Sequence, residues 1–267
     1  MADKNRENAR NLKVLFTNSL VGFVTAFLFT TFIHESGHFF AYLFSGAHPV
    51  LYHNYVSVDE PELSTTIRVI AAMAGPVISL MQGIILGLIV TRRRSSSAWD
   101  LLLLWLCLLG LVNFFGYLML TPLSTGGDTG KAAELIGLSV IYRIFISITG
   151  IAVLILLVTR LGKYFSRFIP VNGDLGQKRR YVNALVMYPI IAGSVINVLL
   201  AFPVPALLSI LYPATSSFVI LSAYGAILRA ADSSVAASIP ETKISRLLVI
   251  LLLAGIIINR LLTLGVG

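Results

Sequence analysis

FIHESGHFFAYL, residues 32–43, sets two histidines, a glutamate and a serine inside a run otherwise made of apolar and small residues. The apolar character extends on both sides, from about residue 14 to residue 44. A helix needs about 20 predominantly apolar residues to cross the hydrocarbon core of a bilayer. Ionisable side chains inside such a segment are costly, and they face a bundle interior or a water-filled cavity. The stretch therefore fixes two expectations: a membrane-spanning helix, and a polar centre that the rest of the chain must enclose.

Further apolar blocks follow at 67–90, 101–120, 141–159, 182–202, 207–228 and 247–264. The sixth of the seven blocks is the most interrupted, because Pro203 and Pro205 precede it and Pro213 lies within it. Of the 267 residues, 57% are hydrophobic and 12% charged, against about 25% charged in soluble domains. The expected fold is an all-α polytopic membrane protein with six to seven transmembrane helices. Residues 1–13 form a polar N-terminal tail, 14–135 a membrane-embedded core of three helices carrying the polar centre, and 136–267 additional transmembrane helices. The alternation in VLYHNYVSV, residues 50–58, predicts a short strand or β-hairpin after the first helix.

The formal charge of +8 does not point to nucleic acid, because the Lys and Arg residues cluster between the apolar blocks, as in cytoplasmic loops. Arg92, Arg93 and Arg94 mark one such loop, Arg160 to Arg180 a second, Arg229, Lys243 and Arg246 a third, and Lys4, Arg6, Arg10 and Lys13 the N-terminus. Asp59, Glu60 and Glu62 instead lie after the first block. Alternating spans satisfy every loop if the N-terminus is cytoplasmic. The run after the tail is too long for a signal-peptide core and is expected to be retained as an anchor. Cys107 is the single cysteine, which excludes an intramolecular disulfide and a cysteine-based metal site.

His34-Glu35-Ser36-Gly37-His38 matches H-E-x-x-H. Residues four apart share one helix face, so both imidazoles can reach one ion, and the neighbouring Glu35 can take a proton from water activated there. Two nitrogen donors suit Zn2+, which at a catalytic site takes a third protein ligand and keeps an open position. Removing the acidic residues assigned to the cytoplasmic side leaves Asp59, Glu60, Glu62, Asp128 and Glu134, with His48 and His53 as alternatives. Asp128 is preferred. It follows the third block on the same face as the end of the first, and Gly126, Gly127 and Gly130 would let its backbone turn back into the bundle.

With these residues in view, the chain resembles the site-2 protease family of intramembrane zinc metalloproteases. His34, Glu35 and His38 match the family's H-E-x-x-H in a span. Ala74-Gly75-Pro76 is similar to its A-G-P segment, and Asp128 to the aspartate of its L-D-G motif, although Gly127 precedes Asp128 and Thr129 follows it. The resemblance covers residues 14–135. It implies Zn2+ held by His34, His38 and Asp128, Glu35 as general base, and transmembrane proteins as substrates. It implies a multi-pass protein of the plasma (inner) membrane. The family places its zinc nearer the cytoplasmic side, whereas the charge pattern here puts His34 and Asp128 nearer the outer face. A metal-binding transporter or an inactive protease-like adaptor is the competing class. A transporter would be expected to show duplicated halves, which the sequence lacks, and an inactive adaptor to have lost Glu35 or a ligand. Asn197, in the fifth block, is expected to bond between helices or line a substrate path, and Arg260 to snorkel to the interface.

Overall fold

A computed structural model describes residues 2–58, 63–170, 174–205, 208–233 and 243–267. Asp59, Glu60, Glu62 and Glu241 lie outside the described residues. Among the described residues, seven stretches are long and apolar enough to cross a membrane: Arg6–Phe44, Thr65–Arg92, Ala98–Leu120, Val140–Phe168, Leu175–Ala201, Ser209–Asp232 and Arg246–Leu264. The chain is a helical, multi-pass membrane protein, with one two-stranded sheet among the described residues.

The first helix, α1 (Ala2–Phe44), has 43 residues and is about 65 Å long at 1.5 Å per residue. That is roughly twice the hydrocarbon thickness, so residues 2–13 continue the helix of the first span. Gly46, at φ +83°, ends it, and the Ala47 N–H closes the turn on Tyr42 O. The expected hairpin follows. β1 (Val50–Leu51) pairs antiparallel with β2 (Val56–Ser57), Leu51 opposite Val56. The outer edge of β1 is taken by Val266, whose N–H donates to Leu51 O and whose carbonyl accepts from Leu51 N–H.

Helices α2 (Thr65–Arg92) and α3 (Ala98–Leu120) complete the three-helix core. The Ser64 side chain caps α2 by accepting from Ile67 N–H. A reciprocal Ser97–Asp100 capping box starts α3, and Arg93 and Ser95 also bond the Asp100 carboxylate. α3 is apolar around most of its circumference and sits at the centre, with Leu101, Leu104, Trp105, Leu108 and Leu109 almost fully buried. The outer helices instead leave large apolar side chains exposed, among them Ile84, Leu88, Ile148, Leu253 and Ile257. Such a surface suits lipid.

After a short α4 (Asp128–Leu135) come α5 (Val140–Gly162), α6 (Leu175–Val182), α7 (Tyr188–Ala201), α8 (Leu208–Thr215), α9 (Tyr224–Ser233) and α10 (Arg246–Leu261). Two of these spans are broken near a proline. A π-helical turn, Asn183–Met187, joins α6 to α7 just before Pro189. Pro189 has no N–H to give Leu185 O. Ser19 Oγ donates to that carbonyl instead (2.5 Å) and accepts from Trp105 Nε1 (3.0 Å). The sixth span divides into α8, which contains Pro213, a 3-10 segment at Ser216–Ala223, and α9. Arg260, expected to snorkel to the interface, is exposed at the end of α10. Its guanidinium donates to Phe202 O (2.7 Å) and to Leu200 O, because the C-terminal carbonyls of α7 lack helical donors.

Candidate metal centre

His34 and His38 lie one turn apart on α1, and both are buried. Ten residues of helix, about 15 Å, separate His34 from the hairpin end of α1 at Phe44. Asp128 opens α4, in the first turn, where the helix dipole favours a carboxylate. The turn that brings it in depends on Gly130, because a Cβ there would lie 1.9 Å from Ser124 O. Gly126 and Gly127 contribute no left-handed backbone, so close approach at Gly130, rather than glycine freedom before Asp128, closes the loop.

The three side chains converge. His34 Nε2 is 2.9 Å from Asp128 Oδ2, His38 Nε2 is 3.3 Å from the same oxygen, and the two Nε2 atoms are 3.0 Å apart. Among the described residues this is the group of His, Cys, Asp and Glu side chains able to hold a metal ion. Second partners set the direction of each ring. His38 Nδ1 donates to Ala71 O at 2.7 Å, a carbonyl that can only accept. His34 Nδ1 lies 3.2 Å from Ser79 Oγ, whose own hydrogen goes to Gly75 O, so His34 Nδ1 donates as well. With both Nδ1 atoms bonded outward, each ring in its neutral form would present an Nε2 lone pair to the other and to a carboxylate oxygen. Three acceptors facing one point repel unless a proton or a metal cation sits between them. Ligands about 2.0–2.2 Å from a tetrahedral zinc stand about 3.4 Å from one another. The group therefore accepts such an ion with an opening of a few tenths of an ångström. The donor set fits a divalent metal.

Tyr117 of α3 stacks on the outer face of His34, with ring centroids 5.1 Å apart and planes within 9°. Gly75 packs on the ring of His38, which gives a physical reason for the glycine of Ala74-Gly75-Pro76. Ser79, the Ala71 carbonyl and Tyr117 were not legible as site residues, since nothing in an apolar run distinguishes a serine or tyrosine aimed at an imidazole from one aimed elsewhere.

Glu35 is buried beside His34. Both line a cavity of about 90 Å³ together with Asn113 and Tyr117 of α3, Asn197 of α7 and Tyr212 of α8. The hairpin tip closes one side, as His53 Nε2 (2.8 Å) and Asn54 Nδ2 (3.2 Å) both donate to Ala201 O at the end of α7. His53 is thus a docking residue outside the metal group, and His48 and Glu134 are exposed. Burial pushes the His53 imidazole below its ordinary pKa; the Ala201 bond works against this, and the positive Arg260 adds to it. Asn113 Nδ2 donates to Tyr212 Oη (2.9 Å). Asn197 makes no interhelical bond, since both of its amide atoms are without a partner among the described residues.

A scan against family models and searches of curated proteins and of solved structures find no match to this chain.

Proposed function

We propose that the chain is an intramembrane zinc metalloprotease of the site-2 protease type, cleaving peptide bonds within or near transmembrane segments of membrane proteins. The supporting observation is the meeting of His34, His38 and Asp128, with the outer nitrogen of each ring already committed. In this reading Zn2+ is the resident metal, and the protein lies in the plasma (inner) membrane with its N-terminus in the cytoplasm.

When bound, zinc supplies Lewis acidity, polarising a carbonyl and acidifying water near neutral pH. The chain's own residues do the rest. The Glu35 carboxylate, on the cavity wall beside His34, accepts a proton from water and returns it to the amine nitrogen of the leaving strand. Ala71 O and Ser79 hold both imidazoles in the ligating tautomer. The polar cavity admits water to a site surrounded by lipid-facing helices. A substrate helix must unwind first, because its own hydrogen bonds screen its peptide groups. The unwound segment can then pair with the hairpin by strand addition. Val266 already occupies the outer edge of β1, so among the described residues the edge of β2 is the one left for it.

The test joins metal content with cleavage. Purified wild-type protein should carry about one zinc per chain and cut a transmembrane reporter. Glu35→Gln should keep the metal and lose cleavage, and His38→Ala should lose both. Metal bound without any Glu35-dependent cleavage would favour a transporter or adaptor instead.

A further inference from the structure

The cavity beside His34 and Glu35 carries polar groups that the chemistry above does not use. Asn197 is 2% exposed, yet neither its Oδ1 nor its Nδ2 has a partner among the described residues. Asn259 of α10 lines the same cavity, and its Oδ1 is also unpartnered. Burying an amide without hydrogen bonds is unfavourable, more so than burying leucine at the same place. The two helices are held in register at this end. Arg260, next to Asn259, bonds the carbonyls of Leu200 and Phe202 at the end of α7, and the hairpin tip is tied to Ala201 O. The amides are therefore fixed in position rather than free to find partners elsewhere.

The ligand class follows from the wall chemistry. Apart from its histidines, the cavity wall has Glu35 as its one ionisable acid or base other than tyrosine among the described residues, so the amides do not form a pocket for a multiply charged ion. A primary amide presents donor and acceptor together, which matches the N–H and C=O that flank the Cα of one residue in extended backbone and point to the same side. An unwound segment at membrane depth has just such groups in need of partners. The cavity, at about 90 Å³, admits one or two peptide units but not a helix, which is about 10 Å wide with its side chains.

We propose that Asn197, supported by Asn259, is a peptide-backbone clamp that holds the substrate extended across the site. This rests on the peptidase reading. It concerns α7 and α10, which lie outside the 14–135 core that carries the metal ligands and Glu35. Asn197 donates through Nδ2 to a substrate carbonyl and accepts through Oδ1 from a substrate N–H.

The probe is a synthetic apolar peptide of roughly 20 residues with a central Asn-Gly pair, reconstituted with the protein in liposomes. A parallel series replaces single backbone N–H groups near the cut by ester oxygen. Asn197→Leu should lower kcat/KM by about 10-fold to 100-fold with unchanged metal content and an unfolding temperature equal to or above wild type. One ester position should cost the wild type about 10-fold and the Leu variant nothing further, the coupling that a double-mutant cycle reads. Asn197→Ser serves if the Leu variant does not fold. Wild-type cleavage by either variant, or an ester penalty equal in both proteins, overturns the clamp while leaving the peptidase reading intact. If the wild type cuts no probe, the peptidase reading fails on its own. The clamp is then decided by a photo-crosslinking residue at position 197: crosslinks to the peptide support it, and their absence overturns it.

Discussion

The imidazole of His38 lies against the backbone of Gly75, so closely that a Cβ on residue 75 would come within 2.3 Å of Nε2, the metal-facing nitrogen. The neighbouring crossing is as tight, since a Cβ on Gly37 would sit 2.8 Å from Ala74 O. The geometry of the metal group thus depends on the distance between α1 and α2.

Gly75→Ala should therefore act on the metal before it acts on the fold. Overpacking of this size costs about 1–3 kcal/mol, and here it falls on a ligand atom. The expected result is a protein that still purifies as a folded species but holds zinc at least tenfold more weakly, measured by competition with a chelator. Gly130→Ala, which pushes on Ser124 O, should weaken zinc in the same way by displacing Asp128. Wild-type zinc affinity in both variants would contradict the close-approach account.

Ser19 is predicted to matter for stability out of proportion to its size. Ser19→Ala leaves Leu185 O and Trp105 Nε1 buried without partners, at about 2 kcal/mol or more. Thermal unfolding in detergent should register the loss. Adding Pro189→Ala restores an N–H for Leu185 O and should recover about 1 kcal/mol. No recovery would mean that Pro189 is not what makes that carbonyl depend on Ser19.

Docking of the hairpin should depend on pH through His53. Burial, reinforced by Arg260, lowers its pKa in the docked state, so the undocked hairpin binds the proton more readily. Docking is then at full strength above about pH 6.5, the ordinary histidine value, and weakens as pH falls below it toward the lowered value. Amide exchange at Tyr52, whose N–H donates to Tyr55 O, should accelerate below that pH once intrinsic rates are corrected. His53→Gln should remove the pH dependence; its persistence in that variant would assign it to another group.

Orientation is open to direct labelling. His48 and Arg94 are both exposed; His48 follows α1 and Arg94 follows α2, so one span separates them. With a cytoplasmic N-terminus, a membrane-impermeant maleimide added to intact cells should label His48→Cys and spare Arg94→Cys. Cys107 is buried and gives no background. The reverse pattern would put the metal centre on the cytoplasmic side.

The sequence by itself determined what depends on neighbours along the chain. Span number and approximate bounds follow from apolar length. The pairing of His34 with His38 follows from helical periodicity, and the hairpin at 50–58 from alternation. The break in the sixth span is marked by Pro213. Tertiary structure alone decided the rest. It brought Asp128, already preferred in the sequence, onto the two imidazoles, turned Arg260 onto the end of α7, left Asn197 unbonded, and gave Ser79 and Tyr117 their roles beside His34. Each of these depends on how one helix is rotated and tilted against another. Apolar packing sets that relation across many residues at once, so no local pattern of residue types encodes it.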